Sequence, residues 1–204
     1  MASSAKGSIV VGVVASLRKL RRCGRVDDER ISARLSGAAL TMLEQKIEIG
    51  RWYPMAAFAE LLDLEWEVAS GRDPEYARQS GAKSAQRQFE SERYQQLDFA
   101  RRAGKAESRE ALVRQAKLIT TITAMFYNYL EVSVGIDVER PSELQIVYAN
   151  AAAFNEPLRY STEGFMNGIN EMQGSGRRWT SERTAPDRIV FRLALPSRLG
   201  SRSV

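Results

Sequence analysis

The stretch that most constrains the fold runs from residue 141 to residue 195, where apolar residues change from alternation to helical spacing and back. Leu144, Ile146 and Tyr148 recur at every second position, which predicts a strand with one face on a core. A helix is predicted next and ends at Gly174, and alternation then returns in two short segments. The chain is therefore expected to close with a unit of strand, helix and hairpin.

Two glycines mark the predicted helix of this unit. Ser161 is expected to cap the helix, and Gly164 and Gly168 then leave a bare stripe on one of its sides. Glycine costs about 1 kcal/mol relative to alanine inside a helix, so a helix with two of them is expected to need them for packing. We expect the stripe to pack on the faces of strands 144–148 and 189–193.

The sequence before this unit is dominated by helical spacing of apolar residues. In the segment after Pro74, small residues at positions 77, 81 and 85 form a ridge that permits close packing of another helix. The helix from Ser108 onward is the most continuously apolar one and is predicted to lie in the core. The fold class is therefore α+β, with an N-terminal bundle of about six helices followed by a small C-terminal antiparallel strand-helix-hairpin unit. The predicted helices cover 8–23, 27–43 with Gly37 as a candidate break, 54–70, 73–89, 91–102 and 108–130.

The length of 204 residues suits one domain, predicted over residues 8–195, with a disordered N-terminus at 1–7 and a flexible basic tail at 196–204. The apolar run 9–15 is too short to span a bilayer. The single cysteine, Cys23, excludes an intramolecular disulfide. These features predict a cytoplasmic protein.

The net charge of +5 is concentrated near the end of the first predicted helix. Such a basic patch could attract nucleic acid or an anionic membrane, or it could offset the macrodipole of the helix. No aromatic residues are interleaved for base stacking and no helix-turn-helix pattern follows, so the second interpretation is favoured and nucleic acid is not an expected partner. The patch consists of Arg18, Lys19, Arg21, Arg22 and Arg25.

Histidine is absent from the chain. This excludes histidine-dependent catalytic triads, zinc sites with histidine ligands and haem held by a proximal histidine. Glu60, Asp63 and Glu67 share one helix face, but helix-bundle metal sites with such carboxylates also need histidines. A solvated acidic face is expected instead, and no metal site is predicted.

Several short motifs resemble those of a known group. They are Trp52-Tyr53-Pro54 followed by Phe58, the Asp73-Pro74 helix with Gly81, and the segment 164–168 ahead of the terminal hairpin. In these the chain resembles a paralogous family of uncharacterised proteins abundant in myxobacteria, related to the haem-nitric-oxide-binding (H-NOX)-like superfamily that also includes four-vinyl-reductase-type ligand-binding domains. The resemblance covers about residues 7 to 195 and implies a cavity between helices and sheet, suited to an apolar ligand or a partner.

The chain departs from these relatives at the positions that hold their cofactors. Haem-binding members use a proximal histidine and a tyrosine-x-serine-x-arginine cluster, and this sequence has neither. The vinyl-reductase-type domains commonly carry cysteines near the terminal strands, and no cysteine follows Cys23. The sequence therefore predicts no cofactor, haem included.

The function predicted from these features is a non-enzymatic sensory or regulatory domain that binds a small apolar ligand between the core helix and the sheet. No glycine-rich phosphate loop or other catalytic motif is recognised. The alternative is that the same side chains fill the core completely and the chain is a scaffold or interaction module, as a homodimer or with a protein partner. The predicted lining residues are Trp52, Phe58, Phe126, Tyr129, Phe165 and Met172.

Overall fold

The structure is a computed structural model that describes residues 2–90 and 108–196. The predicted helix over 91–102 and the tail from residue 197 lie outside the described residues. The first part of the chain contains β1 (Ser4–Lys6), α1 (Gly7–Arg22), α2 (Asp28–Arg34), α3 (Gly37–Glu44), β2 (Trp52–Pro54), α4 (Met55–Ser70) and α5 (Pro74–Glu90). The second part contains α6 (Arg109–Phe126), β3 (Glu131–Ile136), β4 (Glu143–Ala149), α7 (Glu156–Met172), β5 (Trp179–Ala185) and β6 (Arg188–Ala194).

Local capping explains where several of the early helices begin and end. The Asp27 side chain accepts a hydrogen bond from the Arg30 amide at 2.7 Å and starts α2. Ser36 caps α3 in the same way, so the helical region predicted over 27–43 is divided into two helices at the break that Gly37 suggested. Gly71 ends α4 with a φ of 65°, a left-handed conformation that glycine adopts without steric cost.

The C-terminal sheet is antiparallel with the strand order β3-β4-β6-β5. Ile146 lies opposite Phe191 in the register of β4 and β6, and both side chains are fully buried. The predicted inward faces of the two strands are confirmed, since Leu144, Tyr148 and Leu193 are at most 1% exposed. The predicted α+β class is confirmed as well.

Strand β3 was not predicted from the sequence. The helix predicted over 108–130 ends at Phe126, and Met125, in its last turn, is 55% exposed. The chain then enters β3, in which every second side chain is partly buried against the core. This alternation of Val132, Val134 and Ile136 is a period-2 signal that the sequence does contain.

Helix α7 begins earlier than predicted. It starts at Glu156, with Pro157 in its first turn, where the missing amide hydrogen of proline is harmless. Ser161 therefore lies inside the helix and does not cap it.

The glycine stripe of α7 packs on α5 and not on the sheet, which corrects the predicted contact. A Cβ atom added to Gly164 would lie 1.9 Å from the carbonyl oxygen of Arg78, and one added to Gly168 would lie 3.0 Å from Ala82 Cα. The contact is reciprocal, because a Cβ on Gly81 would lie 1.9 Å from the carbonyl oxygen of Ser161. The predicted small-residue ridge of α5 thus meets the predicted bare stripe of α7.

The N-terminal residues predicted as disordered include strand β1. It pairs antiparallel with β2, with Ala5 opposite Tyr53, and Ala5 is fully buried. Ala5 also forms an isolated bridge with Tyr127, so the N-terminus reaches the junction between α6 and β3. None of the helices within the described ranges is long and apolar enough to cross a membrane.

Candidate functional site

The six predicted lining residues lie in different surroundings. Phe58, on α4, is 2% exposed and belongs to the core, whereas Trp52, on β2, is 39% exposed. The Lys6 ammonium lies 4.6 Å from the centre of the Trp52 ring, a cation–π contact at the surface. The four remaining residues are half-buried: Phe126, Tyr129, Phe165 and Met172. Whether these residues bind a ligand stays a prediction.

A cluster of three tyrosines occupies the junction of α6, β3 and β4. The rings of Tyr127 and Tyr129 are 6.3 Å apart and nearly perpendicular, and Tyr127 in turn lies 5.2 Å from Phe154. Tyr148 lies 5.5 Å from Phe154 and 5.0 Å from Phe191. These edge-on and tilted contacts are the geometries that aromatic rings prefer, so the cluster is a packed unit.

The hydroxyl groups of this cluster differ in their partners. The Thr123 hydroxyl donates to the carbonyl oxygen of Ile119, and the Tyr148 hydroxyl lies 2.7 Å from the same Thr123 oxygen. Because Thr123 uses its single proton on Ile119, Tyr148 is the donor in the second bond. The Tyr129 hydroxyl is buried and has no hydrogen-bond partner. An unpaired buried hydroxyl is unfavourable, so Tyr129 is the residue in this cluster whose polar atom lacks a structural explanation.

Burial determines the protonation of these phenols. It raises the pKa of Tyr127, Tyr129 and Tyr148 well above the usual value of a tyrosine, because the phenolate would lose its hydration. The proximity of Tyr129 and Tyr148 adds to the increase in the pKa of Tyr127, and the proximity of Tyr148 adds to that of Tyr129. The three phenols therefore stay protonated and uncharged well above neutral pH.

The space between the helices and the sheet is filled around this cluster. Phe154 and Phe191 have no exposed surface and Tyr148 has only 1%, which means that these side chains border no gap large enough for water. A ligand at this position must displace side chains at the half-buried margin, where Tyr129 lies. The structure thus favours a small ligand over a large one as long as the core keeps this arrangement.

The basic segment at the end of α1 is used largely for packing. Arg18 donates to the carbonyl oxygens of Leu43 and Gln45, both at 2.7 Å, and thereby ties α1 to the end of α3. Arg21 pairs with Asp28 and Glu44, and Arg25 donates to the carbonyl oxygen of Val68. Lys19, Arg21 and Arg22 also lie in the last turn of α1, where positive charge offsets the helix dipole. These contacts favour the structural interpretation of the basic patch.

Comparison with known proteins establishes the fold. No protein-family model matches the chain, and no curated protein matches it in sequence. Among solved structures, a variant of the H-NOX protein from K. algicida, described as Fe(II) unliganded, superposes with a TM-score of 0.57 at 14% identity, covering 95% of this chain and 98% of that one. The Fe(II) unliganded K. algicida H-NOX protein itself superposes with a TM-score of 0.55 at 13% identity, covering 97% of this chain and 100% of that one. A variant of T. tengcongensis H-NOX superposes with a TM-score of 0.53 at 13% identity, covering 95% of this chain and 99% of that one.

The chain therefore has an H-NOX-like fold over almost its whole length, as the sequence resemblance implied. The same matches overturn the prediction of no cofactor. Two of these structures are described in the Fe(II) state, so the fold accommodates an iron cofactor, and the lack of histidine is not sufficient to exclude haem. The relationship to a myxobacterial family stays a prediction.

The donor set of this chain limits how such a cofactor could be held. A histidine ligand is impossible, and Cys23 is exposed at the end of α1. Tyrosine oxygen is an established axial ligand of haem iron, and the buried, unpartnered hydroxyl of Tyr129 is an oxygen donor of that type. The chemistry of Tyr129 thus fits an oxygen-ligated iron, which would have to displace the phenolic proton.

Proposed function

We propose that the chain is a sensory or regulatory domain of H-NOX-like fold that binds a small molecule and passes the signal to a protein partner or to a second copy of the chain. The observation that carries this proposal is the agreement of fold with H-NOX structures over 95 to 97% of the chain. We further propose that the domain catalyses no reaction. We take the domain to include residues 8–195 together with strand β1.

The proposed ligand site is the half-buried margin of the tyrosine cluster at the junction of α6 and β3. Tyr129 supports this choice because its hydroxyl lies in the interior without a partner, and a ligand there would provide one. Haem is the first ligand to test, since the similar structures include H-NOX proteins in the Fe(II) state. Its size requires the side chains that fill the core around this margin to move apart when it binds. When bound, haem would supply an iron centre that takes up a further small molecule, while Tyr129 would hold the iron.

The experiment is reconstitution of the purified protein with haemin, followed by absorption spectroscopy. We expect a Soret band from stoichiometrically bound haem, and we expect Tyr129→Phe to change its position or abolish it. Tyr53→Phe is the matched control, because Tyr53 is a buried tyrosine whose hydroxyl is bound by the Glu48 amide at 2.8 Å. A spectrum that is the same in Tyr129→Phe and in the parent protein would contradict the proposed role of Tyr129.

A protein that takes up no haemin can still be a sensory domain for another small molecule. Native mass spectrometry of protein purified under mild conditions tests this, with release of the ligand by organic solvent as the confirmation. Repeatedly ligand-free protein together with failed reconstitution would contradict the sensory proposal and favour the interaction module.

A further inference from the structure

Two large apolar side chains are exposed where the loop of residues 45–51 leads into β2. Ile49 is 59% exposed and Trp52 is 39% exposed. Ile47 and Tyr53, which lie close to them in the chain, are buried and anchor this region to the core. A single exposed apolar residue is common on a protein surface, whereas two of them in one short segment require an explanation.

Backbone hydrogen bonds hold this loop against the N-terminal part of the fold. The Arg51 amide donates to the carbonyl oxygen of Glu48 at 3.1 Å, and the Gly7 amide donates to the carbonyl oxygen of Arg51 at 2.8 Å. The Glu48 amide in turn donates to the Tyr53 hydroxyl at 2.8 Å. A Cβ atom added to Gly7 would lie 2.0 Å from the Glu48 carbonyl oxygen, so the loop packs directly on the start of α1. The two exposed side chains therefore belong to a firmly held part of the structure.

Two cations from neighbouring elements lie beside this loop. Lys6 lies opposite Trp52 in the register of β1 and β2, and its ammonium is 4.6 Å from the centre of the Trp52 ring. Arg18, on α1, donates to the carbonyl oxygens of Leu43 and Gln45. Carbonyl oxygens carry no net charge, so the positive charge of Arg18 at the start of the loop is not neutralised by these bonds.

The loop itself adds more positive than negative charge. Lys46 and Arg51 are exposed, and neither forms an ion pair with a carboxylate of the described residues. Glu48 is the one acidic residue between positions 45 and 51, and Glu44, directly before the loop, is paired with Arg21 at 2.6 Å. The cations that surround the carboxylate of Glu48 are Lys6, Arg18, Lys46 and Arg51.

We propose that the surface formed by these four cations together with Ile49 and Trp52 binds an anionic lipid membrane. Tryptophan and aliphatic side chains enter the interfacial region of a bilayer, and cations attract its acidic headgroups. Lys6 keeps its ammonium among the headgroups while its hydrocarbon stem stays beside the inserted Trp52 ring. The contact is peripheral, because side chains of one loop and of its neighbours enter the interface while the backbone stays outside.

Nucleic acid is attracted by the same charges but fits this surface less well. Single strands bind through aromatic rings on which successive bases stack, and Ile49 offers no ring. An exposed aliphatic side chain is stabilised when it leaves water for a lipid interface, which explains why Ile49 lies among cations. The proposal concerns a surface outside the tyrosine cluster and does not depend on the function proposed above.

The test is cosedimentation of the full-length protein with vesicles at low ionic strength. One set of vesicles contains phosphatidylglycerol in phosphatidylcholine, and the other contains phosphatidylcholine alone. We expect at least about tenfold tighter binding to the anionic vesicles, with a decrease as salt is added. No binding to the anionic vesicles, or equal binding to both, would overturn the proposal. Release of the bound protein by a short DNA duplex at an equal phosphate concentration would overturn it in favour of nucleic acid.

Fluorescence shows whether Trp52 is the residue that enters the membrane. The chain has three tryptophans, and the other two are buried, since Trp66 is 7% exposed and Trp179 is 1% exposed. We expect the emission to shift to shorter wavelength on anionic vesicles and to be quenched by brominated lipid, and we expect neither change in Trp52→Phe. An unchanged spectrum of the parent protein on vesicles that do bind it would refute the assignment to this surface.

Two pairs of substitutions separate the charged and apolar contributions. We expect Arg51→Glu and Ile49→Ser each to lower the affinity for anionic vesicles about tenfold, with folded protein as judged by circular dichroism. Arg188→Glu is the control for charge, since Arg188 is an exposed arginine on β6, and Val138→Ser is the control for an exposed apolar residue. Unchanged affinity in the first two variants, or an equal loss in their controls, would contradict the proposed membrane contact.

Discussion

The helix crossing of α5 and α7 and the aromatic core around Tyr148 are packed in opposite ways. At the crossing, Gly81 and Gly164 leave so little space that an added Cβ atom would lie 1.9 Å from a backbone oxygen of the other helix. In the core, Tyr148, Phe154 and Phe191 fill the space with large rings. The crossing therefore cannot accept an added atom, whereas the core cannot lose one without a cavity. The crossing is therefore most sensitive to added atoms, and the core is most sensitive to removed ones.

The largest expected effect comes from removing a ring from the core. Phe154 is fully buried between Tyr127 and Tyr148. We expect Phe154→Ala to lower the free energy of unfolding by about 3–5 kcal/mol, through lost burial and the cavity that remains. Urea unfolding measures this, with Val138→Ala as the control because Val138 is 94% exposed. A loss similar to that of the control would show that the core collapses around the smaller side chain.

The next effect comes from adding one carbon to the crossing. We expect Gly164→Ala to lower the free energy of unfolding by about 2 kcal/mol or more, because the clash with the Arg78 carbonyl exceeds the gain in helix propensity. Gly12→Ala is the matched control, since Gly12 lies in α1 with no atom within 4 Å of an added Cβ. That control should gain up to about 1 kcal/mol. Equal effects of the two substitutions would mean that the helices can move apart at little cost.

The crossing shows what a local pattern can and cannot predict. The spacing of Gly164 and Gly168 correctly predicted that another element comes close to α7. A bare stripe does not specify whether that element is a helix or a strand, because both present backbone atoms. The ridge around Gly81 on α5 was equally visible in the sequence, but nothing in either pattern joins the two.

Contacts between side chains and distant backbone could not be predicted from the sequence either, because a local pattern does not show which distant segment it meets. The Asn167 side chain accepts a hydrogen bond from the Trp179 amide at 2.7 Å and donates to the Trp179 carbonyl oxygen at 3.1 Å. It thereby joins α7 to the start of β5. The arginines that neutralise Asp63 and Glu67 come from α2 and from the turn after α4, and so they too required the tertiary structure.

Alternation predicted the faces of the sheet well, because a strand with one buried face needs only its own sequence to show it. The same rule would have found β3, because its alternating apolar residues begin directly after the predicted end of the helix at residue 130. Within the candidate site, Tyr129 was predicted on helical spacing, although it lies after the end of α6. The hydrogen bond between the Tyr148 and Thr123 hydroxyl groups depends on how α6 packs on β4. No short sequence pattern predicts that packing.

The smallest expected effects separate the two hydroxyl groups within the aromatic core. Tyr148→Phe removes the donor to Thr123, and the Thr123 hydroxyl keeps its own bond to Ile119. The free energy of unfolding should therefore fall by about 1 kcal/mol. Tyr129→Phe removes a buried hydroxyl that has no partner, and the ligand-free protein should become more stable by about 1 kcal/mol.

Urea unfolding of both variants and of the ligand-free parent protein shows whether each substitution raises or lowers the free energy of unfolding. If Tyr148→Phe lowers the free energy of unfolding and Tyr129→Phe raises it, the Tyr129 hydroxyl destabilises the ligand-free protein. That result is expected if this hydroxyl binds a ligand. A loss of stability in both variants would mean that Tyr129 has a partner in the folded protein, because only a satisfied hydroxyl stabilises the fold. The argument for a ligand at the junction of α6 and β3 would then lose its structural basis, while the opposite sensitivities of the crossing and the core would be unaffected.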